Sequence, residues 1–179
     1  MKISFSGVQC TGKSTLIKEM QESNNFNDYI FLTECIRDLN KKGFKINENG
    51  DDDTQTAVMC MHLINLDKSD NTVMDRCLLD GMCYAEWSYN HGKISEENYK
   101  FCHRVFWSNI NSYDLIFYLV PEFEMVEDGV RSLNKEFRDE VKSIFDKYVN
   151  LINDKLKVKI ITLHGSVEER MKQIYDSII

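Results

Sequence analysis

The chain alternates short β-rich runs with longer stretches of helical period. Residues 2–6 (KISFS) form such a run and end at Gly7, after which Lys13 to Glu22 places Leu16, Ile17 and Met20 on one helical face. A second strand is predicted over residues 29–33, followed by a helical stretch at 35–40 and a loop over 41–53. Asp51-Asp52-Asp53-Thr54 has the chemistry of a helix start, since carboxylates suit the positive end of a helix. Over 54–68, Ala57, Val58, Met61 and Ile64 fall at i, i+1, i+4 and i+7, which predicts one buried apolar face, although Asn65 interrupts the stripe.

The same alternation continues to the end of the chain. A strand at 71–75 ends in Asp75, helices follow at 78–91 and 95–112 with Asn90-His91-Gly92 as the turn between them, and a strand at 115–120 closes on Pro121, the only proline. Residues 121–135 are mixed and polar. A long amphipathic helix at 135–156, a strand at 158–163 and a helix at 166–178 opened by the capping pair Ser166 and Glu169 complete the pattern. No repeat or low-complexity tract interrupts it. Strands separated by helices on this scale predict an α/β fold, a parallel sheet with helices on both faces that binds ligands at the carboxyl ends of its strands.

Gly7-Val8-Gln9-Cys10-Thr11-Gly12-Lys13-Ser14-Thr15 matches G-x-x-x-x-G-K-[ST] in full and lies between a predicted strand and a predicted helix, as the chemistry of a phosphate loop requires. Gly7 and Gly12 let the main chain curl so that its amides face phosphate oxygens, and the following helix adds its positive end. In that arrangement Lys13 reaches the β- and γ-phosphates and Ser14 offers its hydroxyl to magnesium, while Thr15 is read as a helix residue at the end of the nucleotide-binding run. ATP and Mg2+ are therefore the expected cofactors.

Composition narrows the partners. At 179 residues the chain fits one domain, and no stretch approaches a membrane-spanning length. A net charge of −7, with no basic run, disfavours duplex nucleic acid and favours a small-molecule substrate. The opening residues run straight into a strand and loop, so a cytoplasmic location is expected. Cys10, Cys35, Cys60, Cys77, Cys83 and Cys102 form no C-x-x-C pair and read mostly as small buried hydrophobes, and the four histidines show no metal-ligand spacing with them.

Phosphate loops serve switches, motors and kinases alike, and three further features point to a kinase. Asp75-Arg76 ends the third strand, where the carboxylate can hold magnesium through water or take an acceptor proton and the arginine can neutralise the transferring phosphoryl group. Glu34 follows the second strand and is expected across the crevice from the phosphate loop, as base, anchor or helix-start carboxylate. Glu127-Asp128-Gly129-Val130-Arg131, with Arg138 beyond it, is a glycine-hinged segment whose arginines can fold over phosphates. A GTPase switch is disfavoured because Asn134-Lys135-Glu136-Phe137, the nearest approach to N-K-x-D, lacks the aspartate. The aromatic residues of the middle helices, Tyr84, Trp87, Tyr89, Tyr99, Phe106 and Trp107, read mainly as core.

Gly7 to Thr15, Thr33-Glu34-Cys35-Ile36-Arg37, Asp75-Arg76 with Asp80, and Asp128-Gly129-Val130-Arg131 together resemble the P-loop kinase family that includes the ribosylnicotinamide kinase domain, with nucleoside and thymidylate kinases as wider relatives. The resemblance implies a single P-loop NTPase domain over 1–179, with a five-stranded parallel sheet and a small lid at about 121–138. It implies transfer of the ATP γ-phosphate to a hydroxyl or phosphate of a nucleoside- or nucleotide-like acceptor. By position it implicates Glu34 and Asp75 in acceptor or magnesium handling, Arg76 and Arg131 in phosphate stabilisation, and Arg37 in substrate binding, with Arg138 a further substrate contact. Two alternatives share the same loop: a kinase acting on a nucleic-acid end or modified base, and an ATP-binding regulator without turnover.

Overall fold

The five β-rich runs assemble into one sheet in the computed structural model, which describes residues 1–67, 71–122 and 132–178. The strands β1 (Lys2–Ser6), β2 (Ile30–Leu32), β3 (Thr72–Asp75), β4 (Leu115–Leu119) and β5 (Lys159–Leu163) lie in the order β2-β3-β1-β4-β5, with every neighbouring pair parallel. Near-continuous apolar runs such as Leu115-Ile116-Phe117-Tyr118-Leu119 suit this role, because a parallel strand is covered on both faces. β1 is central, and its pairing of Phe5 with Asp75 brings the end of β3 level with the start of the glycine loop.

Helices cover both faces. On one side, α1 (Lys13–Glu22) and α7 (Val167–Ile178) bury Leu16, Met20 and Ile174 against Phe5, Phe117 and Leu163 of the sheet. On the other, α3 (Asp52–Leu66), α4 (Leu78–Asn90), α5 (Glu96–Asn109) and α6 (Lys135–Lys155) share a larger core that includes Met59, Met82, Phe106, Phe145 and Ile152. Burying each such side chain contributes about 1.5–3 kcal/mol. The short α2 (Ile36–Lys41) packs through Cys35 and Leu39 on Val58 of α3. Among the described residues, no helix is long and apolar enough to cross a membrane.

Local signals account for most helix ends. Asp51 caps α3 by accepting from the Thr54 amide at 3.2 Å, so the helix begins two residues earlier than its apolar stripe suggests. Ser166 and Glu169 exchange the expected reciprocal bonds at the start of α7. Residues 135–138, placed in the lid from sequence, form the first turn of α6, with Phe137 and Arg138 buried. The segment Glu127-Asp128-Gly129-Val130-Arg131 lies outside the described residues.

α3 departs from the periodicity reading in one consequential respect. Met61 and Ile64, assigned to its buried face, are exposed, and the face turned inward carries Gln55, Val58, Met59 and His62. A core of apolar residues was expected there, and a mixed wall is found, because this face borders a cavity rather than the sheet alone. Of the six cysteines, all free, Cys35, Cys77, Cys83 and Cys102 are buried as read, whereas Cys60 is exposed and Cys10 lies half-buried in the glycine loop.

Candidate active site

The glycine loop is shaped by positions that only some residues tolerate. Gly7 adopts φ 136°, and a Cβ there would come within 2.5 Å of the Leu119 carbonyl oxygen, so no larger residue fits without moving β4. Cys10 at φ 56° and Gly12 at φ 89° are both left-handed. These reversals of handedness curl residues 7–12 into a concave run of amides of the kind that binds anions, at the N-terminus of α1.

Charged groups gather at the mouth of this curl. The buried Lys13 ammonium donates to the carbonyls of Gly7 at 2.8 Å and Val8 at 2.6 Å and to the Thr11 hydroxyl at 3.1 Å. Burial, with the Arg76 charge added, pulls its pKa down to about 7. Ser14 Oγ donates to Asp75 Oδ2 at 3.0 Å, while Asp75 Oδ1 is buried without a hydrogen-bond partner among the described residues. Burial first, and the Glu34 charge second, raise the Asp75 carboxyl above the usual carboxylate range.

Arg76 is the hub beyond Lys13. Its backbone is left-handed at φ 78°, which swings the buried side chain back under the loop. Nε donates to Glu34 Oε1, and Nη1 donates to the Gly7 carbonyl at 3.1 Å and to Asp80 Oδ1 at 2.9 Å. The guanidinium also stands 5.6 Å over the Tyr84 ring. Asp80 is fully engaged: Oδ2 accepts from the Cys77 amide at 3.1 Å and the Ser6 hydroxyl at 2.7 Å, and Oδ1 accepts from the Gly7 amide at 3.2 Å. One carboxylate thus caps α4 and joins it to the end of β1.

A pocket, partly open to solvent, extends from this cluster between α2, α3 and α4. Glu34, Arg76 and Tyr84 line it beside the glycine loop, and Gln55, His62, Gly81 and Arg37 also line it. Gln55 Oε1 and His62 Nε2 are buried and lack hydrogen-bond partners among the described residues. Burial lowers the His62 pKa to about 4, so the ring is neutral at pH 7. At the edge of the cavity, Gln9 accepts from the Tyr84 hydroxyl at 3.3 Å and donates to the Ser132 carbonyl at 3.4 Å, while the Ser132 hydroxyl bonds to Glu48.

Residues 2–170 match the model of a family described as an AAA domain. The chain belongs to that family. This AAA domain has the fold of solved P-loop kinases: deoxyadenosine kinase from M. mycoides with products dCMP and dCDP superposes with a TM-score of 0.67 at 15% identity, covering 99% of this chain and 98% of the other. The same kinase with bound dATP gives 0.64 at 16% identity, covering 99% of each chain. NadR protein in complex with NR gives 0.66 at 16% identity, covering 98% of this chain and 49% of NadR. A comparison with curated protein sequences finds no match.

Within this AAA domain, Lys13, Ser14, Glu34, Asp75 and Arg76, chosen from the sequence, stand together around the glycine loop. Arg37 borders the cavity, whereas Arg138 is buried in α6 and is not part of the cavity lining; Arg131 lies outside the described residues. Sequence reasoning quoted Asp80 without a role, weighed His62 only as a metal ligand and passed over Gln55. The i, i+7 spacing of Gln55 and His62, which puts two polar side chains on one helical stripe, was the available signal. For Asp80 it was the capping distance from Cys77.

Proposed function

We propose that the protein transfers the γ-phosphoryl group of ATP to a hydroxyl group of a nucleoside-like acceptor held in the cavity between α2, α3 and α4. The observation that carries this reading is the Glu34–Arg76 pair, which stands where the phosphate loop and the cavity meet. Glu34, a carboxylate at this junction able to take a proton, favours a hydroxyl as the acceptor group. Arg76 is paired with Glu34 and Asp80, and Arg37 is the other arginine that the described residues bring to the lining. The likeness to structures of deoxyadenosine kinase and of NadR with NR points the same way.

In this reading, the amides of residues 7–12 and Lys13 hold the β- and γ-phosphates. Ser14 Oγ and Asp75, an oxygen donor pair with one carboxylate atom unpartnered among the described residues, are the residues that would hold a magnesium ion. Bound there, magnesium would neutralise charge on the β- and γ-phosphates. Glu34 accepts the proton of the acceptor hydroxyl as its oxygen bonds to the γ-phosphorus and the bond from that phosphorus to the ADP oxygen breaks. Arg76 and Lys13 offset the charge on the transferring group. Gln55 Oε1 accepts from an N–H of the acceptor ring, and the neutral His62 ring contacts the same ring.

ADP release by the purified protein with a panel of nucleosides, nucleoside monophosphates, ribosylnicotinamide and oligonucleotides tests the proposal. Turnover with one or more nucleosides, lost in Glu34→Gln, is expected. Turnover confined to monophosphates or to oligonucleotide ends would overturn the choice of acceptor, and salt-sensitive binding of single-stranded or duplex DNA would favour the nucleic-acid alternative. ATP binding without turnover on any acceptor would favour the regulator.

A further inference from the structure

We propose that Arg170 is a positioning residue for nucleotide binding: by pinning the Thr11 carbonyl on the outer side of the glycine loop, it aims the Gly12 amide into the phosphate nest. This inference rests on the reading of residues 7–15 as a triphosphate site.

Arg170 lies in the first part of α7 and is 1% exposed. Nη1 donates to the Thr11 carbonyl at 2.6 Å, and Nη2 donates to Glu122 Oε2 at 2.7 Å. Glu122 in turn accepts from the Gly165 amide at 2.8 Å and pairs with His164 Nδ1 at 2.8 Å. Burial opposes ionisation of Glu122, but the bonds from Arg170, His164 and Gly165 prevail and bring its pKa down to about 2. One guanidinium therefore joins the loops that follow β1, β4 and β5, the three strand ends around which a nucleotide on this sheet would sit.

The geometry of the peptide unit gives this link a consequence. A trans peptide is planar, and its C=O and N–H point in opposite directions. Fixing the Thr11 oxygen toward α7 therefore turns the Gly12 N–H away from α7, toward the concave side on which Lys13 contacts the Gly7 and Val8 carbonyls. Gly12 is the residue for which such a restraint matters most, since glycine at φ 89° has access to several backbone states. The α7 face around Arg170 packs apolar residues, including Ile174, in the core beside α1. An apolar side chain at position 170 would satisfy that core at lower desolvation cost, so the buried charge is explained by what its guanidinium holds.

Three measurements on the full chain test this role: calorimetric affinity for a non-hydrolysable ATP analogue, affinity for the acceptor, and the Gly12 amide resonance in an amide proton–nitrogen correlation spectrum. Arg170→Met should weaken analogue binding about tenfold, as expected for loss of a charge-assisted bond, shift or broaden the Gly12 amide, and leave acceptor affinity unchanged. Glu122→Gln, which loosens the guanidinium without removing it, should weaken analogue binding about threefold, and the double variant should be no weaker than Arg170→Met alone. Unchanged analogue affinity with an unmoved Gly12 amide in either folded variant would overturn the proposal, and Glu122→Gln carries the test if Arg170→Met does not fold. Failure of the unmodified protein to bind the analogue would instead refute the triphosphate reading itself, and this role with it.

Discussion

Asp80→Ala probes whether the site is built around one buried carboxylate. The change leaves five donors without this acceptor: the amides of Gly7 and Cys77, the Ser6 hydroxyl, the Cys77 thiol and the Arg76 guanidinium. Each buried amide left unsatisfied costs about 1–3 kcal/mol, whereas the hydroxyl can rotate to another partner. Removing one side of a buried ion pair costs about 3–5 kcal/mol, but Glu34 and the Gly7 carbonyl still hold Arg76, which places the loss at the low end. The neighbouring cavity admits water to the vacated space and offsets part of the total. We expect a net destabilisation of about 4 kcal/mol, read as a fall of about 2 M in the urea midpoint at an unchanged slope of about 2 kcal/mol/M. Trp87 and Trp107 fluorescence reports the transition. A loss below about 1 kcal/mol would show that the Asp80 bonds are replaceable and would refute the hub.

Three further outcomes follow from the same geometry. Lys13→Met should abolish ADP release and alter the pH dependence of stability: because the native ammonium has its pKa lowered to about 7 from 10.5, the unfolded chain binds more protons between these values and the unmodified protein gains stability as pH rises. Relative to Lys13→Met, the gain from pH 7 to 9 should be about 2 kcal/mol, and parallel stability curves for the two proteins would contradict it. Gly7→Ala should cost about 3 kcal/mol in chemical denaturation, since it forces a Cβ onto the Leu119 carbonyl at a left-handed φ, and a neutral result would mean that β4 yields easily. His62→Leu should raise stability by about 1 kcal/mol by removing a buried nitrogen without a hydrogen-bond partner while lowering kcat/KM for the acceptor; a lower melting temperature with unchanged kinetics would assign the ring to packing.

The glycine loop was legible in the sequence because its chemistry is local. Gly7 and Gly12 are demanded by backbone states that neighbouring residues set, and the strand before and helix after are written in adjacent periodicities. The same holds for the caps of α3 and α7, where a side chain bonds an amide three residues away. Asp75 and Arg76 could be placed because the end of a parallel strand has a predictable position relative to its neighbour.

What the tertiary structure alone decided is the chemistry that depends on contacts between distant segments. Asp80 meets Ser6 and Gly7 across more than seventy positions, and Arg170 reaches Thr11 across 159. The inward face of α3 is the clearest case. Periodicity chose Met61 and Ile64 because burial is the usual fate of apolar side chains, yet the helix is rotated by what packs on either side of it, and it turns Gln55 and His62 to the cavity. The sequence by itself determined a phosphate loop on a parallel α/β sheet, since both follow from short-range backbone and side-chain preferences. Only the folded chain decided which polar groups are left unpartnered beside that loop, because an unmet hydrogen bond is a property of an assembled interior.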